Sequence, residues 1–346
     1  MTAVETASDA PRRALITGLS GPDLTAAEAT YLAETRPWGL ILFARNVDTP
    51  DRLARLVAEA RAAAGAHVPV LIDQEGGRVA RMRSPHWLDW PPLLDTVTAL
   101  PPAEAEAAIA LRFRLIADEL GALGIDVDCM PLLDVPQPGA HPVIGNRAGG
   151  RDAAEVARIG AVIARALKQG GVLPVIKHLP GHGRTDVDSH DALPRVTAAR
   201  AALETDFAPF RALAGEALGM TGHLVFEAID PDICSTLSPA VIRVIREEIG
   251  FDGLLMTDDI SMGALAGPIA ARAEASLAAG CDIVLHCNGD MAEMRALAGV
   301  VPPLAGPALD RASRAWAARP APQPFDREAA LGQYRAITGE MAERVG

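Results

Sequence analysis

The stretch SPAVIRVIREEIGFDGLLMTDD, residues 238–259, contains the two kinds of segment from which most of the chain is built. It begins with Ser238 and Pro239, a favourable cap and first turn for a helix, and its apolar residues recur at helical spacing up to Gly250. The run DGLLMTDD follows, and its centre is continuously apolar, as is typical of a strand buried on both faces. The stretch therefore predicts a helix, then a buried strand, then two carboxylates, Asp258 and Asp259.

Eight apolar runs of this kind alternate with segments of helical period along the chain. The runs are ALITGL (14–19), WGLILFA (38–44), VPVLID (68–73), IDVDCMPLLDV (125–135), VLPVIKH (172–178), ALGMTGHLVF (217–226), DGLLMTDD (252–259) and DIVLHC (282–287). This alternation predicts an α/β protein with a parallel sheet, either an open doubly wound sheet or a closed barrel. The sequence GLSGPD (18–23) does not match the GxGxxG fingerprint of open dinucleotide-binding sheets. With eight runs in a chain of this length, we predict a single (β/α)8 TIM-type barrel.

Length and composition set further bounds. The chain has 346 residues and no linker-like change of composition, so we expect one catalytic domain over residues 1–346, with a proline-rich segment (about 302–346) packed on it. The net charge of −12 argues against an extended nucleic-acid-binding surface. Neither a signal-like apolar core at the N-terminus nor a run of about 18 apolar residues occurs, so we expect no membrane partner. Scattered cysteines without CxxC spacing fit reduced thiols in the cytoplasm.

Polar residues directly follow most of the predicted strands. In a (β/α)8 barrel, the C-terminal ends of the strands form the rim at which substrates bind. Strand ends carry Asp73 with Gln74 and Glu75, Asp134, Lys177 with His178, His223, Asp258 with Asp259, and His286. One polar residue at a strand end is usually a cap, but so many on one rim predict a functional site there.

Two kinds of chemistry find little support. His178 and His182 have H-x3-H spacing, which binds zinc when both lie on one helical face, but Pro180 and Gly181 between them make a helix improbable. The GxSxG sequence of a serine nucleophile is absent. We therefore expect neither a catalytic metal nor another cofactor.

Carboxylate and imidazole chemistry remains. Asp258 ends an apolar strand, so its side chain should face the barrel mouth, whereas Asp259 should face the other way as a structural acid. Asp188 and His190 are two residues apart within KHLPGHGRTDVDSHDALP (177–194), so they can hydrogen-bond in an extended segment. A carboxylate beside an imidazole fixes its tautomer and raises its basicity. The alternative for this pair is a loop held together by its own polar contacts.

Five motifs of the chain together resemble glycoside hydrolase family 3. They are DQEGGRV (73–79), IGNRA (144–148), KHLPGHG (177–183), DSH (188–190) and FDGLLMTDDISMGA (251–264). The combination of KHxPGHG with DSH is similar to the single-domain bacterial β-N-acetylhexosaminidases of that family rather than to its β-glucosidases.

The resemblance implies a role for each matching residue. Asp258 matches the nucleophile of the family, His190 its general acid/base, and Asp188 the partner that orients the imidazole. The residues that match sugar-binding positions are Asp73, Arg81, Arg147, Lys177 and His178. Thr257 stands where the family usually has serine, which is a mild change. The resemblance implies no cofactor.

The resemblance also implies an activity, a retaining exo-β-N-acetylglucosaminidase that forms a covalent glycosyl-aspartate. In this family the substrates are GlcNAc–anhydroMurNAc fragments, with or without peptide, recovered from the cell wall inside the cell. Aromatic content is only 4%, and Trp87 and Trp90 are the only pair near the predicted mouth. This favours a small pocket for one terminal sugar over a polysaccharide cleft. We expect a monomer whose partner is a small saccharide.

Three alternatives remain open from the sequence. A phosphorylase of the same fold could use a histidine acid/base, because an imidazole does not repel incoming phosphate as a carboxylate does. A sugar-binding barrel could have lost catalysis, although the nucleophile and the Asp-His pair are all present. The 2-acetamido group of the substrate could itself assist the reaction next to paired acids such as Asp258 and Asp259.

Overall fold

A computed structural model describes residues 12–65, 67–185 and 193–339. Its centre is a closed barrel of eight parallel strands. They are β1 (Arg13–Gly18), β2 (Pro37–Leu42), β3 (Val70–Ile72), β4 (Val127–Asp128), β5 (Leu173–Leu179), β6 (Leu218–Thr221), β7 (Leu254–Asp259) and β8 (Ile283–His286). Consecutive strands are neighbours in the barrel, and β1 pairs with β8 to close it, with Leu15 opposite Val284. The predicted TIM-type barrel is confirmed.

Helices occupy the segments that the periodicity assigned to them. Over the described ranges they are α1 (Ala26–Thr35), α2 (Pro50–Ala64), α3 (Leu93–Ala99), α4 (Pro102–Ala122), α5 (Ala153–Gln169), α6 (Glu204–Ala212), α7 (Pro239–Arg243), α8 (Ile269–Ala279), α9 (Met291–Val300), α10 (Gly306–Ala317) and α11 (Arg327–Thr338). Helix α5 shows how the sequence sets their ends. The Asp152 carboxylate accepts the N–H of Glu155 at 2.9 Å, and the helix stops before Gly170.

The stretch at 238–259 folds as its pattern predicts, with one local difference. The Ser238 hydroxyl accepts the N–H of Val241 at 3.2 Å and caps α7. After Arg243 the helix continues as a π-turn over Val244–Glu248. Strand β7 then carries Asp258 and Asp259 at its C-terminal end.

Two of the apolar runs are only partly strand. In the run 125–135 the regular strand ends at Asp128, because Pro131 has no N–H to extend the ladder. The backbone N–H of Leu133 still donates to the carbonyl of Lys177 at 2.7 Å. The run 217–226 divides after Thr221, and Val225–Phe226 pairs instead with Arg195–Val196 in a separate two-stranded sheet.

The barrel has a packed interior on which the rim rests. One buried apolar cluster contains a residue from each strand, among them Ile16, Ile41, Leu71, Val127, Val175, Met220, Met256 and Leu285. Large apolar side chains in that interior stabilise the barrel by removing their surface from water. They also form a fixed floor for the side chains at the strand ends.

The proline-rich segment from Pro302 onwards contains helices α10 and α11. Tyr334 of α11 is buried and meets Trp90 edge to face, with the ring centroids 5.1 Å apart. Among the helices of the described chain, none combines the length and apolar character that a membrane crossing needs.

Asp128, at the end of β4, should make the stability of the protein fall as the pH rises. Burial raises the pKa of its carboxyl to about 7, and Oδ2 has no hydrogen-bond partner, whereas Oδ1 accepts the N–H of Gln74 at 3.0 Å. The unfolded chain releases this proton near pH 4, so the folded state holds more protons between about pH 4 and 7 and loses stability as the pH rises across that window.

Asp128→Asn keeps the Oδ1 acceptor and cannot ionise. We expect the variant to melt several degrees above the native protein at pH 8, and the difference to disappear at pH 4. A pH-independent difference in Tm would contradict this assignment.

Candidate active site

A cavity of about 220 Å³ opens at the C-terminal ends of the barrel strands. It brings together side chains from Ile41 to Cys287, which are 246 positions apart in the sequence. The residues proposed from the sequence that border it are Asp73, Arg81, Arg147, Lys177, His178 and Asp258. Asp188 and His190 lie outside the described residues. The last described residue before them, Thr185, is buried and close to the cavity wall formed by His182.

A tight hairpin after β3 brings Arg81 back over Asp73. Residues Gln74–Gly76 pair antiparallel with Val79–Ala80, and the Gln74 amide oxygen accepts the backbone N–H groups of Arg81 and Met82. The Arg81 guanidinium then lies 2.9 Å from Oδ2 of Asp73. Gly76 permits the turn, because its φ of +101° is strained for any other residue.

An ion-pair network joins three strand ends at one side of the cavity. Lys177 Nζ lies 2.8 Å from Oδ1 of Asp73 and 2.7 Å from Oε1 of Glu75. Arg147 makes a two-bond pair with Glu75, from Nε at 2.9 Å and from Nη2 at 2.8 Å. Such charge-assisted pairs fix planar geometry as well as charge.

The charges in this network hold one another in the ionised form. Burial alone would raise the pKa of both acids. The Lys177 and Arg81 cations nevertheless hold the pKa of Asp73 well below its usual range. Arg147 and Lys177 likewise lower the pKa of Glu75 to about 2. Burial would lower the pKa of Lys177, but the two carboxylates raise it above its usual value. The site therefore presents permanent charges at neutral pH.

Asp134 organises the histidine side of the cavity. Its Oδ2 lies 2.7 Å from His178 Nδ1, and its Oδ1 accepts the backbone N–H of His182 at 2.6 Å. Burial would raise the pKa of Asp134, but His178 and the other donors hold it below the usual value. An ionised carboxylate at Nδ1 makes that nitrogen the donor, so Nε2 of His178 is the atom left for the cavity.

Asp258 and Asp259 have different surroundings, as the alternating strand pattern predicts. Oδ1 of Asp258 accepts the N–H of Asp259 at 2.8 Å, and within the described residues Oδ2 accepts no hydrogen bond. Both carboxylate oxygens of Asp259 accept hydrogen bonds. Oδ1 accepts the N–H groups of Ser261 and Cys287, both at 3.1 Å, and Oδ2 accepts the Ser261 hydroxyl at 2.7 Å. Asp259 nonetheless borders the same cavity, so the expectation that it faces away is wrong in that respect.

The environment of Asp258 keeps it ionised. Burial would raise its pKa, but the imidazoles of His178 and His223 hold it below its usual value. Both ring nitrogens of His223 are in contact with protein, at 2.8 Å from the Thr236 hydroxyl and 3.0 Å from the carbonyl of Asp259. Among the described residues that border the cavity, Asp258 is therefore the carboxylate with neither an ion-pair partner nor a full set of hydrogen bonds.

Three side chains expected at or near the rim lie elsewhere. His286 is buried and contacts Glu293 of α9 at 3.0 Å, so it faces the helix layer. Trp90 packs under Tyr334, and neither Trp90 nor Trp87 borders the cavity, so the expected aromatic pair at the mouth is wrong. Phe43 is the aromatic ring at the cavity, with the Arg81 guanidinium 4.8 Å from its centroid. The sequence did not indicate that Phe43 borders the cavity. Phe43 lies within the apolar run WGLILFA, and nothing in that run shows that the strand ends at Leu42.

A metal centre finds no ligand set in this part of the chain. Across residues 12–65, 67–185 and 193–339, no group of three or more His, Cys, Asp or Glu side chains is arranged to hold an ion. His182 is buried beside His178, and burial together with that neighbour lowers its pKa to about 4. At neutral pH, His182 is therefore an uncharged member of the cavity wall.

Comparison with known proteins places this site in a family. The model of the glycosyl hydrolase family 3 N-terminal domain matches residues 15–312. A beta-hexosaminidase of Alkalilimnicola ehrlichii is 39% identical over 280 residues, covering 79% of this chain and 80% of that protein. A beta-hexosaminidase of Methylococcus capsulatus is 37% identical, covering 90% and 93%. The crystal structure of NagZ from Neisseria gonorrhoeae in complex with N-trifluoroacetyl-D-glucosamine superposes with a TM-score of 0.83 at 31% identity, covering 97% and 99%.

Proposed function

The chain belongs to glycosyl hydrolase family 3 and is a beta-hexosaminidase of that family, and we propose that it removes single terminal β-GlcNAc residues through a covalent glycosyl-aspartate. The observation that carries this proposal is the state of Asp258. Its pKa is held below the usual value, and its Oδ2 accepts no hydrogen bond from the described residues, whereas the other described acids of the cavity, Asp73 and Asp259, pair with cations or accept a full set of hydrogen bonds. A retaining glycosidase needs one such carboxylate at the anomeric carbon.

The proposed reaction uses Asp258 as the nucleophile and His190 as the general acid/base, and it has two steps. One Oδ atom of Asp258 attacks the anomeric carbon while His190 donates a proton to the departing oxygen. Water, deprotonated by the same imidazole, then releases the sugar from Asp258 and restores both groups. Asp188 would orient the imidazole and raise its basicity. Asp73, Arg81, Arg147, Lys177 and His178 would bind the hydroxyl and acetamido groups of the sugar.

The proposed substrates are short cell-wall fragments. A cavity of about 220 Å³ accommodates one sugar ring and no row of subsites, which supports exo-action. We propose GlcNAc–anhydroMurNAc and its peptides as the natural substrates of a monomeric, cytoplasmic enzyme that serves cell-wall recycling. The NagZ structure with a GlcNAc derivative supports recognition of this sugar.

The test compares three aryl glycosides. Hydrolysis of aryl β-GlcNAc should exceed that of aryl β-glucoside and β-xyloside by at least about 100-fold in kcat/KM, since a site built for the acetamido group leaves buried polar atoms unpaired without it. Equal rates would contradict the proposed specificity. Product analysis in phosphate buffer gives a second check, because sugar-1-phosphate as the main product would identify a phosphorylase instead.

Asp134→Asn should weaken the reaction by about 10- to 100-fold in kcat/KM. The asparagine oxygen can still accept the backbone N–H groups of His182 at 2.6 Å and His178 at 3.3 Å, but its NH2 would donate to His178 Nδ1 and impose the opposite tautomer. Asp282→Asn is the matched control. Asp282 is equally buried, pairs with Arg246 at 2.6 Å and accepts the N–H of Leu255 at 2.9 Å, away from the cavity. A native kcat/KM in folded Asp134→Asn would show that Asp134 does not act on His178.

A further inference from the structure

Glu75 lies behind two cations of the cavity without bordering the cavity itself. Its side chain is 3% exposed. Oε1 is 2.8 Å from Arg147 Nη2 and 2.7 Å from Lys177 Nζ, and Oε2 accepts from Arg147 Nε at 2.9 Å. One buried carboxylate therefore fixes the side chains of two residues from different strand ends.

We propose that Glu75 is a positioning residue for sugar binding, which holds Arg147 and Lys177 so that their remaining N–H groups meet the substrate. The inference rests on the proposed function, because it assumes that a sugar occupies the cavity. It adds a residue that never touches the sugar and to which the resemblance gives no role.

Counted over the partners within the described residues, the donors of Lys177 and Arg147 show what Glu75 leaves for a ligand. A lysine ammonium has three N–H donors, and Lys177 directs one to Asp73 and one to Glu75, so one remains. An arginine guanidinium has five, and Arg147 directs two to Glu75 and one to the carbonyl of Val143 at 3.1 Å, so two remain. Held in this way, the remaining donors have fixed directions, which is what recognition of sugar hydroxyls requires.

The charges show why no other carboxylate of the described residues takes the place of Glu75. Among the described residues, Glu75 is the only carboxylate that pairs with Arg147. Asp73 is already shared between Lys177 and Arg81. Without the negative charge of Glu75, Lys177 and Arg147 would repel each other, and the guanidinium would lose its planar partner.

Glu75 is itself held rigidly by the hairpin that carries it. Arg112, buried in α4, donates from Nη2 to the carbonyl oxygen of Glu75. A Cβ at the next residue, Gly76, would clash with that guanidinium and lie 3.0 Å from Cβ of Trp90. The carboxylate is thus set on a braced backbone, as a positioning group must be.

The experiment compares Glu75→Gln with Asp126→Asn. Asp126 is a buried carboxylate that also bridges two cations, Arg61 and Arg319, but its backbone N–H bonds to Val70 at the opposite end of the barrel strands. Each variant loses one buried charge. We expect Glu75→Gln to raise the inhibition constant of GlcNAc and the KM of aryl β-GlcNAc about 100-fold with kcat reduced less than tenfold, and Asp126→Asn to leave all three within about threefold.

A double-mutant cycle separates positioning from general destabilisation. If Glu75 acts partly through Arg147, the effect of Glu75→Gln on the inhibition constant should be clearly smaller in an Arg147→Met background, where only the part that acts through Lys177 remains. Full additivity, or an equal rise of the inhibition constant in Asp126→Asn, would overturn the proposal. If Glu75→Gln does not fold, Glu75→Asp keeps the charge but is too short to reach both cations, and an unchanged inhibition constant there overturns the proposal as well. Failure of the native enzyme to bind GlcNAc would instead contradict the proposed function.

Discussion

Asp258→Asn is expected to abolish turnover of every β-GlcNAc substrate while the variant still binds GlcNAc. Removal of a covalent nucleophile should reduce kcat by about 10,000-fold or more, a loss of several kcal/mol in transition-state stabilisation. The fold should persist, because the amide oxygen can still accept the N–H of Asp259 and the second oxygen accepts no hydrogen bond from the described residues. Stopped assays for product and calorimetric binding of GlcNAc measure the two effects separately.

Asp259→Asn is the comparison that makes this result specific. Its carboxylate accepts the Ser261 hydroxyl and two backbone N–H groups, so the substitution should lower Tm while leaving far more activity than Asp258→Asn. Activity of Asp258→Asn within about tenfold of the native enzyme would rule out the nucleophile. A 2-fluoro sugar should add its mass to the peptide that contains Asp258, and absence of this adduct would favour assistance by the 2-acetamido group.

The barrel and most of the cavity were predictable because the apolar runs in the sequence show where the strands lie and where each strand ends. A buried parallel strand reads as an apolar run, and its C-terminal end must lie on the same rim as its neighbours. Asp73, Lys177 and Asp258 therefore converge, although long helices separate them in sequence. The alternation rule placed Asp259 away from the cavity, which is wrong, although Asp259 does accept the hydrogen bonds expected of a structural acid.

What the sequence could not show depends on packing between segments. His286 also follows an apolar run, but its side chain faces α9 because the last residue of β8 falls on the outer side of the barrel. Glu75 was visible only as part of a rim cluster, since its role arises from Arg147, 72 positions away. The DxE spacing of Asp73 and Glu75 could have indicated this pairing. Side chains two residues apart in an extended segment lie on the same side, so both carboxylates can pair with one cation, as they do with Lys177.

His190→Ala is expected to divide substrates by their leaving group. When the glycosidic bond of a disaccharide breaks, the second sugar leaves as an alkoxide unless its oxygen is protonated, so kcat/KM for the disaccharide should fall by about 1,000-fold or more. An aryl glycoside with an acidic phenol needs little protonation and should lose less than about tenfold in the step that forms the glycosyl-enzyme. The native pH profile for the disaccharide should decline above the pKa of an imidazole, near 6.5 in the absence of perturbation, and this limb should disappear in the variant.

His182→Gln identifies which imidazole is responsible. His182 borders the cavity and lies in the same segment, but its pKa of about 4 leaves the imidazole neutral at neutral pH, and the remaining N–H of a neutral imidazole is too weak an acid to protonate a leaving group. The substitution should therefore reduce kcat/KM by similar factors for both substrates and leave the declining limb of the pH profile in place.

Asp188→Asn should show the same dependence on the leaving group as His190→Ala, with smaller losses. The imidazole is still present in this variant but loses the carboxylate that favours its protonated form. Equal losses on both substrates in His190→Ala, or leaving-group discrimination in His182→Gln, would move the acid/base role away from His190.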